Sequence, residues 1–186
     1  MREVWDCTAF WAKQGHDKCT SNALFFDEDS GTYLFSSDSD HTVVELTRDG
    51  EVLRYWGQLS GAWGFSEDVS AFWRQHSPTW TADGTLLLSS WTSEENYQLL
   101  AREYRLDEDR RELVESRRCG EDTGHKASHG GEAHRLPGGN TLLNYGAGGS
   151  YREFDPDCAT VWHLEFPERN LAGRSIFLED LYAFAP

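Results

Sequence analysis

Basic residues are scarce in this chain: 17 Lys and Arg stand against 32 Asp and Glu, a formal net charge of −15. Binding to a phosphate backbone needs a basic footprint, so nucleic acid is excluded as a partner. No apolar run approaches the length of a bilayer, and no membrane span is expected. The opening Met1-Arg2-Glu3-Val4-Trp5-Asp6 lacks the layout of a secretory signal. A periplasmic or extracellular location follows only if a longer parent carries a signal upstream. The four cysteines form no C-x-x-C pair, which removes the usual zinc spacing, and Gly146–Gly149 does not follow the pattern of a phosphate-cradling loop. No cofactor and no metal are expected.

What is present suits a folded, β-rich protein. Hydrophobic residues make up 38% of the 186 positions and charged ones 26%, a soluble globular balance and not a disordered one. Eight Trp, seven Tyr and ten Phe against one Met fit an all-β core, and would also fit a sugar-binding protein. Cys7 and Cys19 are close enough to close a loop in an oxidising compartment. For Cys119 and Cys158 the free, buried and paired states all stay open.

The stretch from Gly130 to Phe166 holds four strand candidates: Glu132–Leu136, Thr141–Tyr145, Tyr151–Phe154 and Ala159–Phe166. Pro137-Gly138-Gly139-Asn140 and Asp155-Pro156-Asp157 preset or tolerate turn dihedrals. The whole reads as one meandering antiparallel sheet, too small to bury both faces alone. It has copies. Turn glycines recur at Gly31, Gly84 and Gly139, second turns at 48–50, 107–109 and 155–157, and outer strands after each of those. This order predicts a β-propeller-like fold of about three four-stranded blades, at residues 20–56, 76–118 and 131–166, with a closing strand at 173–178. A β-sandwich is the competing reading, but it gives no reason for the order of turns to repeat.

Several segments carry local expectations. Glu3–Asp6 reads as the tail of an outer strand. Residues 57–75 form a connection long enough to be functional. Gln98–Leu106 reads as a strand, with a short helix as the alternative. His125, His129 and His134 are candidate metal ligands, although polar packing near an axis is the simpler account. Three units with spare strands do not close a ring, so the chain is expected to be a propeller portion completed by a longer parent or a second copy, and to self-associate.

Four motifs, in order, resemble the arylsulfotransferase family, the bacterial aryl-sulfate sulfotransferases with a six-bladed propeller. Asp17-Lys18-Cys19-Thr20-Ser21-Asn22 stands where the family writes D-W-x-H-x-N. Asp49-Gly50-Glu51-Val52 through Trp56-Gly57 resembles G-E-V-V-W-x-L-G-G. Phe72-Trp73-Arg74-Gln75-His76 with Asp83–Leu88 resembles F-x-x-Q-H and D-G-T-L-L-L. Arg135–Leu142 resembles R-L-P-N-G-N-T-L. The resemblance spans nearly the whole chain and implies the C-terminal half of such a ring.

It further implies transfer of a sulfo group from an aryl sulfate to a phenol through a transiently sulfated histidine. His76 takes the position of that nucleophile, with Thr20, Asn22, Asp38 and Gln75 around the substrate. Such chemistry needs a neutral imidazole and donors at the sulfonate oxygens. Two positions depart from the pattern: Thr20 replaces a histidine and Asp38 replaces a sulfate-binding arginine. A further family histidine lies upstream of Met1. A carboxylate at Asp38 would repel a sulfonate and favour the protonated form of His76. The expectation is a site that takes a small aromatic ligand without sulfotransfer by this chain alone; a binding or scaffold propeller is the second possibility. His76 as a plain strand residue bonded to a neighbour also stays open.

Overall fold

In a computed structural model the chain is described over residues 4–167 and 171–176. Among the described residues there is one α-helix, α1 (Cys7–Lys13), followed by β1 (Ser21–Asp27), β2 (Thr32–Ser37), β3 (Thr42–Thr47) and β4 (Val52–Gly57). Next come β5 (Gly64–Phe65), β6 (Trp73–Trp80), β7 (Leu86–Ser93), β8 (Asn96–Asp107) and β9 (Glu112–Cys119). The last four are β10 (Glu132–Arg135), β11 (Thr141–Asn144), β12 (Ser150–Phe154) and β13 (Thr160–Glu165). They form three sheets, ordered β1-β2-β3-β4, β5-β9-β8-β7-β6 and β10-β11-β12-β13. Each has an antiparallel meander of four strands; the short β5 adds a parallel edge to the second.

The turn glycines do what their positions require. Gly31, Gly84 and Gly139 all adopt positive φ, between 68° and 88°, where a β-carbon would be strained. The residues just beyond tie each turn down. Thr32 donates its hydroxyl to Glu45 at 3.0 Å, Thr85 donates to Glu103 at 2.5 Å, and Asn140 donates to Glu153 at 2.6 Å. A carboxylate on the third strand therefore anchors the first turn in every sheet.

The core lies between the sheets. Leu34, Val43 and Trp56 of the first sheet meet Phe72, Leu86, Leu88, Tyr104 and Leu113. On the far side of the second sheet, Leu87, Trp91, Leu99 and Ala101 meet Ala133, Leu143, Tyr145 and Phe154. The connection 57–75 contributes to this packing through the buried Trp63 and Phe72, with Phe65 beside them. Its length serves the core.

A third apolar cluster covers the first sheet's other face. Trp11 of α1, fully buried, sits with Phe35, Val44, Leu46 and Leu59, and Trp5 and Phe10 pack around it. Asp6 caps the helix, its carboxylate accepting from the Ala9 N–H at 3.1 Å. The expected strand tail at 3–6 is thus overturned for its described residues: 4–6 lead into a helix. Cys7 and Cys19 form a disulfide that closes this cap onto the sheet, with Cα atoms 5.9 Å apart. Cys119 and Cys158 form a second, at 4.9 Å, joining the end of β9 to the turn before β13.

Two further expectations resolve. Gln98–Leu106 lies within β8 and is strand, not helix. Of the closing strand at 173–178, residues 173–176 are not strand, and 177–178 lie outside the described residues. The described part is held by irregular contacts, Asn144 donating to the Gly173 carbonyl and Ser175 donating to Glu132, and not by a ladder. Among the described residues, no helix is long and apolar enough to cross a membrane.

Candidate functional site at the inner strands

The innermost strands β1, β6 and β10 come together along one side of the molecule. They enclose a cavity of about 380 Å³ lined by Asn22, Phe25, His76, Ser77, Glu132 and His134, among others. Strand β6 is irregular there. Its pairing with β7 shifts register on both sides of His76, and Arg74 and Ser77, which flank the Gln75-His76 pair, have φ of 47° and 49°. Positive φ at two non-glycine residues is costly and persists only where the surroundings enforce it. The bulges aim His76 at the cavity while its neighbour Gln75 turns into the core.

Gln75 is fully buried between the first two sheets. Its side-chain amide donates to Ser37 O at 2.8 Å, Ser36 Oγ at 3.0 Å and Thr42 O at 3.1 Å. Its backbone carbonyl accepts from Asn22 Nδ2 at 2.7 Å. Gln75 thus ties the sheets together and does not line the cavity. Asn22 does line it, with its amide nitrogen committed to β6.

Thr20 and Asp38 stand apart from the cavity lining. Thr20 is exposed, and its carbonyl accepts from the Asp38 N–H at 2.8 Å. The Asp38 carboxylate is engaged by the Arg74 guanidinium at 2.5 Å. An arginine twisted out of β6 therefore compensates the charge expected to repel a sulfonate.

His76 Nδ1 lies 3.2 Å from Ser77 Oγ, which donates to Glu132 Oε1 at 3.4 Å. Burial pushes the His76 pKa down; the Glu132 carboxylate, a hydrogen bond to the Gly131 backbone and the more distant Asp38 push it up without overcoming that. The ring is neutral at pH 7. Asp38 does favour the protonated form, as expected, but as the smallest of the three raising influences, and burial outweighs them together.

Glu132 is the anion of the cavity. Burial pushes its carboxyl up, but hydrogen bonds from His134 and from the Ser175 N–H and hydroxyl outweigh it and hold the pKa at about 2. The Ser175 contacts are 2.6 and 2.8 Å and fall on Oε2, as does His134 at 3.3 Å. Among the described residues, Oε1 keeps only the long bond from Ser77. Among the described lining residues, Arg174 alone carries a fixed positive charge.

The three candidate metal histidines are separated by their partners. His134 faces Glu132, His125 packs on the Tyr145 ring at 4.8 Å, and His129 Nδ1 bonds Ser128 Oγ at 3.0 Å. Among the described residues no group of three or more His, Cys, Asp or Glu is placed to hold a metal ion. Ser77 and Glu132 were not singled out from the sequence. The available signal was Glu132 and His134 two apart on an inner strand, which puts both on one face.

Solved structures with this arrangement are propellers. The propeller domain of Cps50 (Swd1) from Myceliophteria thermophila matches 87% of this chain and 46% of its own, at 12% identity and a TM-score of 0.53. A catalytically inactive virginiamycin B lyase from Staphylococcus aureus, solved with quinupristin, matches 82% of this chain and 43% of its own, at 11% identity and a TM-score of 0.50. The chain has a β-propeller fold. At these identities the likeness is one of architecture alone, and the three sheets are blades. The chain spans less than half the length of either propeller. No protein-family model matches it, and no curated protein does.

Proposed function

We propose that this chain is the C-terminal portion of an arylsulfotransferase-like propeller. In this reading its axial cavity binds a small aromatic molecule at His76 and does not transfer a sulfo group by itself. The observation that carries this is the pairing of a neutral His76 with an ionised Glu132 in one cavity. A phenol fits such a pair, since its hydroxyl can donate to a ring nitrogen or to Glu132 Oε1 while its ring lies on Phe25. A sulfonate does not fit: it meets a carboxylate at short range in a partly desolvated space, with Arg174 as the single fixed cation among the described lining residues.

The transferase reading keeps one observation in its favour, because the neutral imidazole is the nucleophilic form. In that reaction a His76 nitrogen would bond to sulfur as the aryl S–O bond breaks and the phenolate leaves with the electron pair. The acceptor phenol would then take the sulfo group and release its proton.

Incubation with p-nitrophenyl sulfate separates the two. The expected result is no phenolate above the buffer rate and no sulfo adduct on His76 by mass spectrometry. Phenol titrated into the protein should shift the His76 ring resonances, and the heat of phenol binding seen in the wild type should be lost in His76→Ala. Turnover that is present in the wild type and lost in His76→Ala would overturn the proposal.

A further inference from the structure

The three blades differ in how their outermost strands are protected. On β4, the following connection returns to pair: Trp63 donates its N–H to Tyr55 O at 2.9 Å, and Gly57 donates to Trp63 O at 3.3 Å. On β9, the same connection continues as β5, with Gly64 beside Glu112 and Phe65 beside Leu113. Strand β13 has no such cover among the described residues. All six of its residues are exposed, including Trp162 at 47% and Leu164 at 42%. It also lacks the lysine or proline that commonly blunts an open edge.

The orientation of its free groups follows from its pairing. Phe166 donates its N–H to Gly149 O on the β12 side, and the register runs on through Leu164 to Trp162. In an antiparallel pair the bonding direction alternates, so His163 and Glu165 turn their N–H and C=O groups outward, up to the register shift opposite Glu153 and Phe154 that interrupts the alternation at Val161.

We infer that β13 is a self-association edge: two copies pair antiparallel through it and join their third blades into one continuous sheet. The strand is complementary to itself in this arrangement. Centred on His163, which faces its own counterpart, it sets Trp162 opposite Leu164 of the second copy, twice over, with no acid facing an acid. The chain's other end favours the same closed, two-fold contact. The outward face of the first blade is already occupied by α1, so a head-to-tail contact from blade 3 of one copy to blade 1 of the next has no open partner surface.

Sedimentation velocity of the full chain over a micromolar concentration series, at physiological ionic strength, tests this. A monomer–dimer equilibrium is expected. His163→Pro removes an outward N–H that β12 does not use, so the melt should be retained while the dimer weakens at least about tenfold. Leu164→Lys puts two charges against the apolar pairs and should have the same effect without touching the backbone. A wild type that stays monomeric overturns the inference. So does a dimer that survives Leu164→Lys unchanged, or an open series of larger species.

Discussion

Replacing Glu103 by alanine is expected to lower the free energy of unfolding by about 3–5 kcal/mol, the range for removing one partner of a buried ion pair. Glu103 lies on β8 and is 6% exposed. It accepts from the Thr85 hydroxyl within its own blade and from the Arg135 guanidinium of the third blade, while Arg117 Nη1 stands 3.7 Å away. Among the described residues its loss leaves Arg135 with Gly139 O and Thr141 Oγ1, both neutral acceptors. Urea unfolding of Glu103→Ala, Arg135→Ala and the double variant would measure the coupling. Additive costs would show that the join between the second and third blades does not run through this pair.

Trp11→Ala should be about as damaging, about 3–5 kcal/mol by the scale of large aromatic truncations in cores. Trp11 is fully buried, and its indole N–H donates to Asp40 Oδ2 at 2.6 Å. Asp40 also pairs with His16 at 2.7 Å, so the loss reaches both ends of the helical cap. The expected signature is a lower urea midpoint together with increased binding of an apolar dye, since Phe35, Val44 and Leu46 lose their cover. A midpoint shift without extra dye binding would mean that α1 stays seated without its tryptophan.

The repeating part of the fold was legible because it is written locally. Gly31, Gly84 and Gly139 mark turns whose positive φ only a few residue types accept, and the strands around them follow within a few positions. Helix α1 was not legible: Cys7–Lys13 is too short for a periodic pattern to emerge. Its one usable signal was Asp6 placed to cap it. The pairing of Cys119 with Cys158 was likewise hidden, since it depends on how β9 and the β12–β13 turn meet across two blades.

The site divides along the same line. His76 was noticed through its motif, but its protonation depends on burial that no short stretch encodes. Asp38 looked like an unopposed charge because its partner, Arg74, lies on the neighbouring blade and reaches it through a backbone twist at positive φ. Glu132 was passed over although its partner His134 is only two residues away; the two bonds from Ser175 that join in holding it ionised come from far along the chain. The misreading of Asp38 concerns a contact between elements distant in sequence.

Seating α1 on the first blade also gives the row of sheets a direction. Each sheet contacts chiefly its neighbours, as in a linear array, so opening begins where the fewest neighbours must be given up. Among the described residues that place is the third blade, where β13 has no covering strand, and the Cys119–Cys158 bond keeps it tethered once loosened. Hydrogen exchange should therefore run as a gradient along the chain, with β13 and β12 amides lost first and those of β2 and β3, beneath the helix, held until the whole molecule unfolds.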